Sequence, residues 1–203
     1  MSTVESPTFP SRTALRWKRA RAQSRQCILD AAGTVFAEDG FERTTMKRIA
    51  SVCGVTKVTI YAHYRDKERL YTSVMDGHLA SMTSGELSLP AGTDLGDALM
   101  CIAGGIERLA ANPSCLAFCR SLLRSGPGID LYRERWSTVL EPYLDLAEKA
   151  FERVSVGSTC SGDGERFVSL LLAEHGLPQG RRRAPDSHAT AALFLRACDL
   201  RVR

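Results

Sequence analysis

The chain has 203 residues, 44% of them hydrophobic and 25% charged, with a net charge of +4. A chain of this length buries about 70% of its unfolded surface, so it can build a core without disulfides or metal, and its composition is that of an ordinary globular protein. No apolar run approaches the ~20 residues that cross a bilayer, and the basic N-terminus lacks the apolar stretch of a secretory signal, so a cytoplasmic protein is expected.

The charge is unevenly spread. Residues 1–75 carry 13 lysines and arginines against 7 acidic residues, and residues 76–203 carry 14 against 16. A basic third on a mildly acidic remainder suits a polyanion-binding head on a body with another task, although a merely solvated basic surface has the same signature. The seven cysteines (27, 53, 101, 115, 119, 160 and 198) are scattered and form no C-x-x-C. They read as small buried hydrophobes; Cys115 and Cys119, four apart, share a helix face and leave a redox pair open. None of the four histidines has metal-ligand spacing with a cysteine, and neither metal nor cofactor is expected.

Residues 1–20, with two prolines and the cluster Arg12, Arg16, Lys18 and Arg19, read as a flexible basic arm. Such an arm can enter a DNA minor groove or serve only solubility. A first helix over 22–39 carries Ile28, Ala32, Val35 and Phe36 at helical spacing and ends at Gly40. Thr44-Thr45 caps a short helix, Met46 to Cys53, which Gly54 breaks. Val55-Thr56 opens a third helix to about Tyr64, and Asp66 caps a long fourth one carrying Leu70, Val74 and Leu79. Gly85, Pro90 and Gly92 mark a loop, and Leu95, Leu99, Ile102, Ile106 and Leu109 then form a helical stripe that Asn112-Pro113 ends. Cys115 to Leu123 makes another helix, and Trp136 to Phe151 the next, with Pro142 expected to kink or restart it. After a loop over 155–164, residues 165–175 and 187–199 read as helices. No segment alternates with period two, so the fold class is all-α.

Two short helices joined at a glycine turn form a helix-turn-helix over residues 45–64. A duplex major groove admits one α-helix, and the entering face needs short polar or basic side chains. The third helix offers Thr56, Lys57, Thr59 and His63, while Ile49, Ala50, Val55, Ile60 and Tyr64 face inward. The flanking phosphates need hydroxyl, lysine and helix N-terminal donors, which Thr45, Tyr61 and Lys67 are placed to supply. Each has a plainer reading: Tyr61 as packing, His63 as a structural aromatic, Lys67 as a surface lysine at a helix start.

The stretch Arg25–Tyr71, RQCILDAAGTVFAEDGFERTTMKRIASVCGVTKVTIYAHYRDKERLY, resembles the DNA-binding domain of the tetracycline-repressor-like (TetR) family. The shared pattern is F-x-x-x-G, T-T-x-x-x-I-A, G-V-[ST]-x-x-T-[IL]-Y-x-H-[FY] and K-[ED]-x-L. The resemblance implies phosphate contacts at Thr45, Thr56, Tyr61 and Lys67, and base or adjoining phosphate contacts at Lys57, Thr59 and His63. Val58 departs from the small residue usual there, Cys53 from alanine, and Tyr64 from phenylalanine.

The resemblance further implies three regions: a flexible basic arm over 1–20, a DNA-binding domain over 21–81, and an effector-binding and dimerisation domain over 82–203. No catalytic motif occurs after residue 80. Met100, Phe118, Leu122, Tyr132 and Trp136 are the candidate lining of an effector pocket for a hydrophobic or planar ligand, with filled core as the alternative. The final segment APDSHATAALFLRACDLRVR resembles the start of a last helical pair, and the chain's end at Arg203 suggests a smaller or rearranged dimer. The expected protein is a homodimeric repressor on a near-palindromic operator, released by a small molecule. An activator, a ligand-free architectural DNA binder, or an enzyme or ligand carrier with a vestigial helix-turn-helix remain alternatives.

Overall fold

In a computed structural model, the described residues are 12–82, 89–90, 92–124, 126–153, 162–178 and 185–202, and every regular element among them is a helix. They are α1 (Arg12–Arg43), α2 (Met46–Cys53), α3 (Lys57–His63), α4 (Lys67–Met82), α5 (Leu95–Ala111), α6 (Pro113–Leu122), α7 (Ile129–Glu152), α8 (Asp163–His175) and α9 (Ser187–Val202). Residues 1–11 of the expected arm, most of the 155–164 loop, Cys160 and the run Arg181–Arg183 lie outside the described residues.

Three expectations are corrected. α1 begins at Arg12, not after residue 21. The segment RTALRWKRARAQ after Pro10 consists largely of strong helix formers, so propensity extends the helix where packing does not require it. Among the described side chains of α1, Ile28 is the first to be buried. Gly40 still interrupts the helix, at φ 77°, and a single further turn follows. α7 runs through Pro142 as one helix, so of the two expected outcomes, kink or restart, the restart does not occur. Trp136 and Val139 before the proline and Ala147 and Phe151 after it are all buried, and that packing offsets the roughly 3 kcal/mol of one interior proline. The cysteines are not uniformly buried: Cys115, Cys119 and Cys198 are, Cys53 and Cys101 are partly so, and Cys27 is exposed.

Two cores hold the helices. The first joins α1, α2, α3 and α4 to the end of α5 and to α6 and α7, through Ile28, Phe36, Ile49, Ile60, Leu70, Tyr71, Phe118 and Trp136 among others. It therefore runs across the position 81/82, where the sequence suggested a domain boundary. The second joins α5, α7, α8 and α9. At its centre Phe151, Phe167 and Phe194 have ring centroids 6.3, 5.2 and 5.9 Å apart. Asn112 ties the segments together: its side-chain oxygen accepts from Ser114 N at 2.9 Å to start α6, and its Nδ2 donates to Ser81 O at the end of α4.

α7 and α8 meet at Gly164. A Cβ there would lie 2.6 Å from Glu148 N and 2.9 Å from the Ala147 carbonyl carbon, both backbone atoms that cannot turn aside. Gly164→Ala is expected to part the two helices and lower stability by about 1–3 kcal/mol. Denaturant unfolding of the two proteins measures it, and an unchanged midpoint would show that the helices are not in contact there.

α1 and α4 pass closely at Gly33, where a Cβ would lie 3.3 Å from His78 Nε2. That nitrogen is buried without a partner. Burial holds the imidazole below its ordinary value of 6.5, with Asp30 pulling the other way. The unfolded chain therefore binds this proton more readily than the folded one. Stability should fall as pH drops below 6.5, and His78→Leu should reduce that fall. Thermal unfolding across this range checks it; an equal pH dependence in wild type and variant would place the charged form in a solvated site.

Candidate nucleic-acid interface

The interface is built by local signals that cap short helices. Thr44 is buried, and its hydroxyl donates to Gly40 O at 2.7 Å, closing the turn out of α1. Thr45 has extended backbone, and its hydroxyl accepts from Arg48 N at 3.2 Å, starting α2. Gly54, at φ 71°, takes the left-handed conformation that ends α2, and its N–H donates to Ala50 O. Thr56 then starts α3 by accepting from Thr59 N at 3.1 Å. Two turns of helix do not persist alone. Ile49 and Ile60 are wholly buried and Tyr64 nearly so, and this inner face anchors α2 and α3 on α1.

The outer face of α3 has nothing above it. Thr56 and Lys57 are exposed, Val58 is 78% exposed, and Tyr61 is 44% exposed. Thr59 and His63 are half-buried at the flanks. Thr45 is exposed at the start of α2. Lys57 Nζ lies 5.5 Å from the Tyr61 ring centroid, a cation over an aromatic face. The hydroxyls of Thr56 and Thr59 are 2.9 Å apart. Two hydroxyls carry two protons and only one lies between them, so the other O–H remains free to donate outward. Thr45, Thr56, Lys57 and Tyr61 are thus open to solvent, and Thr59 and His63 partly so.

Lys67 is placed differently. Its ammonium donates to Phe41 O at 2.8 Å and Glu42 O at 3.4 Å, and it sits 4.1 Å from the Phe41 ring centroid. Two of its three protons therefore satisfy the carbonyls at the end of α1. Tyr64, standing where the family resemblance has phenylalanine, finds a partner: its hydroxyl accepts from Arg25 Nε at 3.2 Å. Arg48 is held by Asp39 and Glu38 of α1. Sequence reasoning missed Arg65 and Arg69, which with Lys18, Arg21 and Arg25 line a cleft of about 760 Å³ beside Tyr61 and His63. The basic cluster before the first helix was the visible signal, but not its juxtaposition with the α3–α4 corner.

None of the five residues expected to line an effector pocket lines the cleft beside Tyr61 and His63. Phe118, Leu122, Tyr132 and Trp136 are buried in the first core, with Phe118 6.3 Å from Tyr132 and 6.1 Å from Trp136 between ring centroids. Met100 is half-buried against the second core. A separate open cleft of about 590 Å³ lies between α1, α4 and α6, where Leu29, Val74 and Ala117 line it together with Asp30, His78 and Arg120.

An all-helical chain with a capped helix-turn-helix and an uncovered polar face on its second short helix defines a class of DNA-binding regulator. Residues 28–74 match the family model of bacterial regulatory proteins, tetR family. The chain is 30% identical over 173 residues to the HTH-type transcriptional repressor BepR of Brucella suis, covering 79% of this chain and 81% of that protein. It is 36% identical over 76 residues to the HTH-type transcriptional regulator AcrR of Shigella flexneri, covering 37% of this chain and 34% of that one. Among solved structures, GusR of Salmonella enterica has a TM-score of 0.60 at 20% identity, over 87% of this chain and 93% of its own. NalD, the secondary repressor of the MexAB-OprM multidrug efflux pump in Pseudomonas aeruginosa, has a TM-score of 0.58 at 20% identity, over 90% and 96%. The chain belongs to the TetR family of transcriptional regulators.

Lys67→Ala should cost about 1–3 kcal/mol of stability, since it strips an ammonium from two carbonyls and an aromatic ring. The dependence of DNA affinity on salt should change by less than one unit of slope. Urea unfolding and salt titrations decide this: unchanged stability with a slope lower by about one would put the ammonium on a phosphate instead.

Proposed function

We propose that the protein is a homodimeric repressor that binds a near-palindromic DNA operator and releases it when a small molecule binds. The observation that carries this reading is the uncovered outer face of α3, polar and basic on a helix whose inner face is locked into the core. Lys57, Thr59 and His63 take the roles of base or adjoining phosphate contacts. Thr45, Thr56 and Tyr61 are the phosphate donors that fix the register, while Lys67 positions them by holding the end of α1. Val58 turns its methyls outward, suited to a thymine methyl. Repression is supported by the names of relatives such as BepR.

A two-fold dimer sets the two α3 helices into half-sites about one helical turn, or a modest multiple, apart. Residues 82–203 supply the dimer contact and the effector site. Leu170 of α8 and Leu193 of α9 are exposed and fit a second copy. The ligand is small and hydrophobic or planar, matched to the aromatic cluster of Phe118, Tyr132 and Trp136. Those rings contact one another in the first core, so a ligand entering between them displaces them. It releases DNA only through its differential affinity for the opened and closed arrangements.

Selection from random duplexes by the purified protein tests the reading. A near-palindromic site is expected, and Lys57→Ala should select a broader one, losing about 1–3 kcal/mol of discrimination at the position it reads. A variant that returns the wild-type site would remove Lys57 from the base readers, and the absence of any selected site would remove the function.

A further inference from the structure

The α1 residues ahead of Ile28 form about four turns of helix without a core of their own: every side chain described from Arg12 to Cys27 is exposed except that of Ser24, which is half-buried. Lys18, Arg21, Ala22 and Arg25 fall at i, i+3, i+4 and i+7, so they form one stripe. That stripe lines the 760 Å³ cleft, whose other wall is Tyr61 to Arg65 with Arg69, Thr72 and Ser73. Five lysine and arginine side chains face this cleft and no carboxylate does. Arg25 is engaged with the Tyr64 hydroxyl and Arg69 with Asp66. Lys18, Arg21 and Arg65 have no acidic partner among the described ion pairs. Like charges gathered in one concavity repel each other, and an anion relieves that repulsion.

The cleft is continuous with the α3 surface, because Tyr61 and His63 belong to both. A phosphodiester strand that ran past the C-terminal end of α3 into this cleft would meet Lys18, Arg21 and Arg65 next. We propose that the helical extension of α1 and the α3–α4 corner form a second clamp on the duplex, one that grips the backbone flanking each half-site without reading its bases. From Arg12 to Arg25 the extension spans about 20 Å, equal to at most about six base-pair steps. It carries Trp17, 72% exposed, which reports on whatever covers the extension.

This inference rests on the proposed function, and the experiment separates the two. The probe is the duplex selected by the wild-type protein, at 40 base pairs and trimmed to its half-sites. The triple variant Lys18→Ala/Arg21→Ala/Arg65→Ala alters exposed side chains only, and its thermal unfolding serves as the control. On the long duplex its salt slope should be smaller by about 2.7 units per subunit, 0.9 for each phosphate that is no longer neutralised. Its protected footprint should be shorter at both outer edges, and its selected consensus unchanged. On the trimmed duplex the two proteins should differ by less than one unit. The charge-preserving variant Lys18→Arg/Arg21→Lys/Arg65→Lys should keep the wild-type slope and footprint, and DNA should change Trp17 fluorescence, a change absent in Trp17→Phe. Wild type and triple variant with equal slopes and equal footprints on the long duplex overturn the clamp alone. A wild-type protein that selects no duplex overturns the clamp and the proposed function together. Binding to phosphatidylserine vesicles that needs the three cations, with DNA binding unaffected, would assign the cleft to a membrane surface and overturn it as well.

Discussion

The seat of Tyr71 is the contact on which the rest of the molecule depends. This α4 side chain is 2% exposed and stands edge-on to Phe36 at 5.0 Å, to Phe41 at 5.3 Å and to Tyr132 at 6.3 Å between ring centroids. Tyr132 continues to Phe118, and Phe118 to Trp136. One chain of aromatic rings thus runs from the end of α1 into α6 and α7. Such pairs contribute about 0.5–1.5 kcal/mol each beyond the area they bury, and they fix orientation as well as distance. Burial, with Tyr132 adding to it, pushes the Tyr71 hydroxyl up to about 12, so the ring stays neutral. Gly126 makes room for it: a Cβ there would lie 2.9 Å from the Tyr71 hydroxyl oxygen.

From this seat the DNA-facing surface is placed step by step. Phe41 lies between Tyr71 and the Lys67 ammonium, and Lys67 holds the carbonyls at the end of α1. The chain then turns through Thr44 into α2 and through Gly54 into α3. α3 is seven residues long, too short to hold its shape by backbone bonds alone. Its outer face can be wholly given to polar groups because Ile60 and Tyr64 do the anchoring from within.

How much of this was legible follows from the range of each signal. The bounds of α2 and the caps Thr45, Thr56 and Asp66 are set by residues within a turn of the helix ends, so the sequence displays them directly. The start of α1 was misplaced because a polar, basic segment reads as disordered when no apolar stripe crosses it, although its residues favour helix. The stripes of α6 and α7 were found, but periodicity says only which side faces inward. Whether Phe118, Tyr132 and Trp136 meet each other or surround a void depends on side chains from three helices far apart in the chain. The same limit hid the bond of Lys67 to Phe41, 26 residues away, and the approach of Arg65 to Lys18. That the first core crosses position 81/82 was hidden for a related reason, since it joins residues far apart in the chain.

That shared core bears on how a body could instruct a head. Were the two parts joined by a linker with separate cores, a ligand in one would leave the other indifferent. Here Trp136 and Tyr132 of α7 belong to the core that also seats α1 and α4, while Ala147 and Phe151 of the same helix belong to the second core. Interiors packed to crystal density do not deform smoothly, so a shift of α7 is passed on rather than absorbed. Under the proposed function, a ligand that opens Phe118 and Trp136 displaces Tyr132 from Tyr71, and Tyr71 is the side chain on which Phe41 and Phe36 rest. Linkage then demands the converse: whatever factor the ligand takes from DNA affinity, bound DNA takes from ligand affinity, because the operator-bound head holds Tyr71 in its seat.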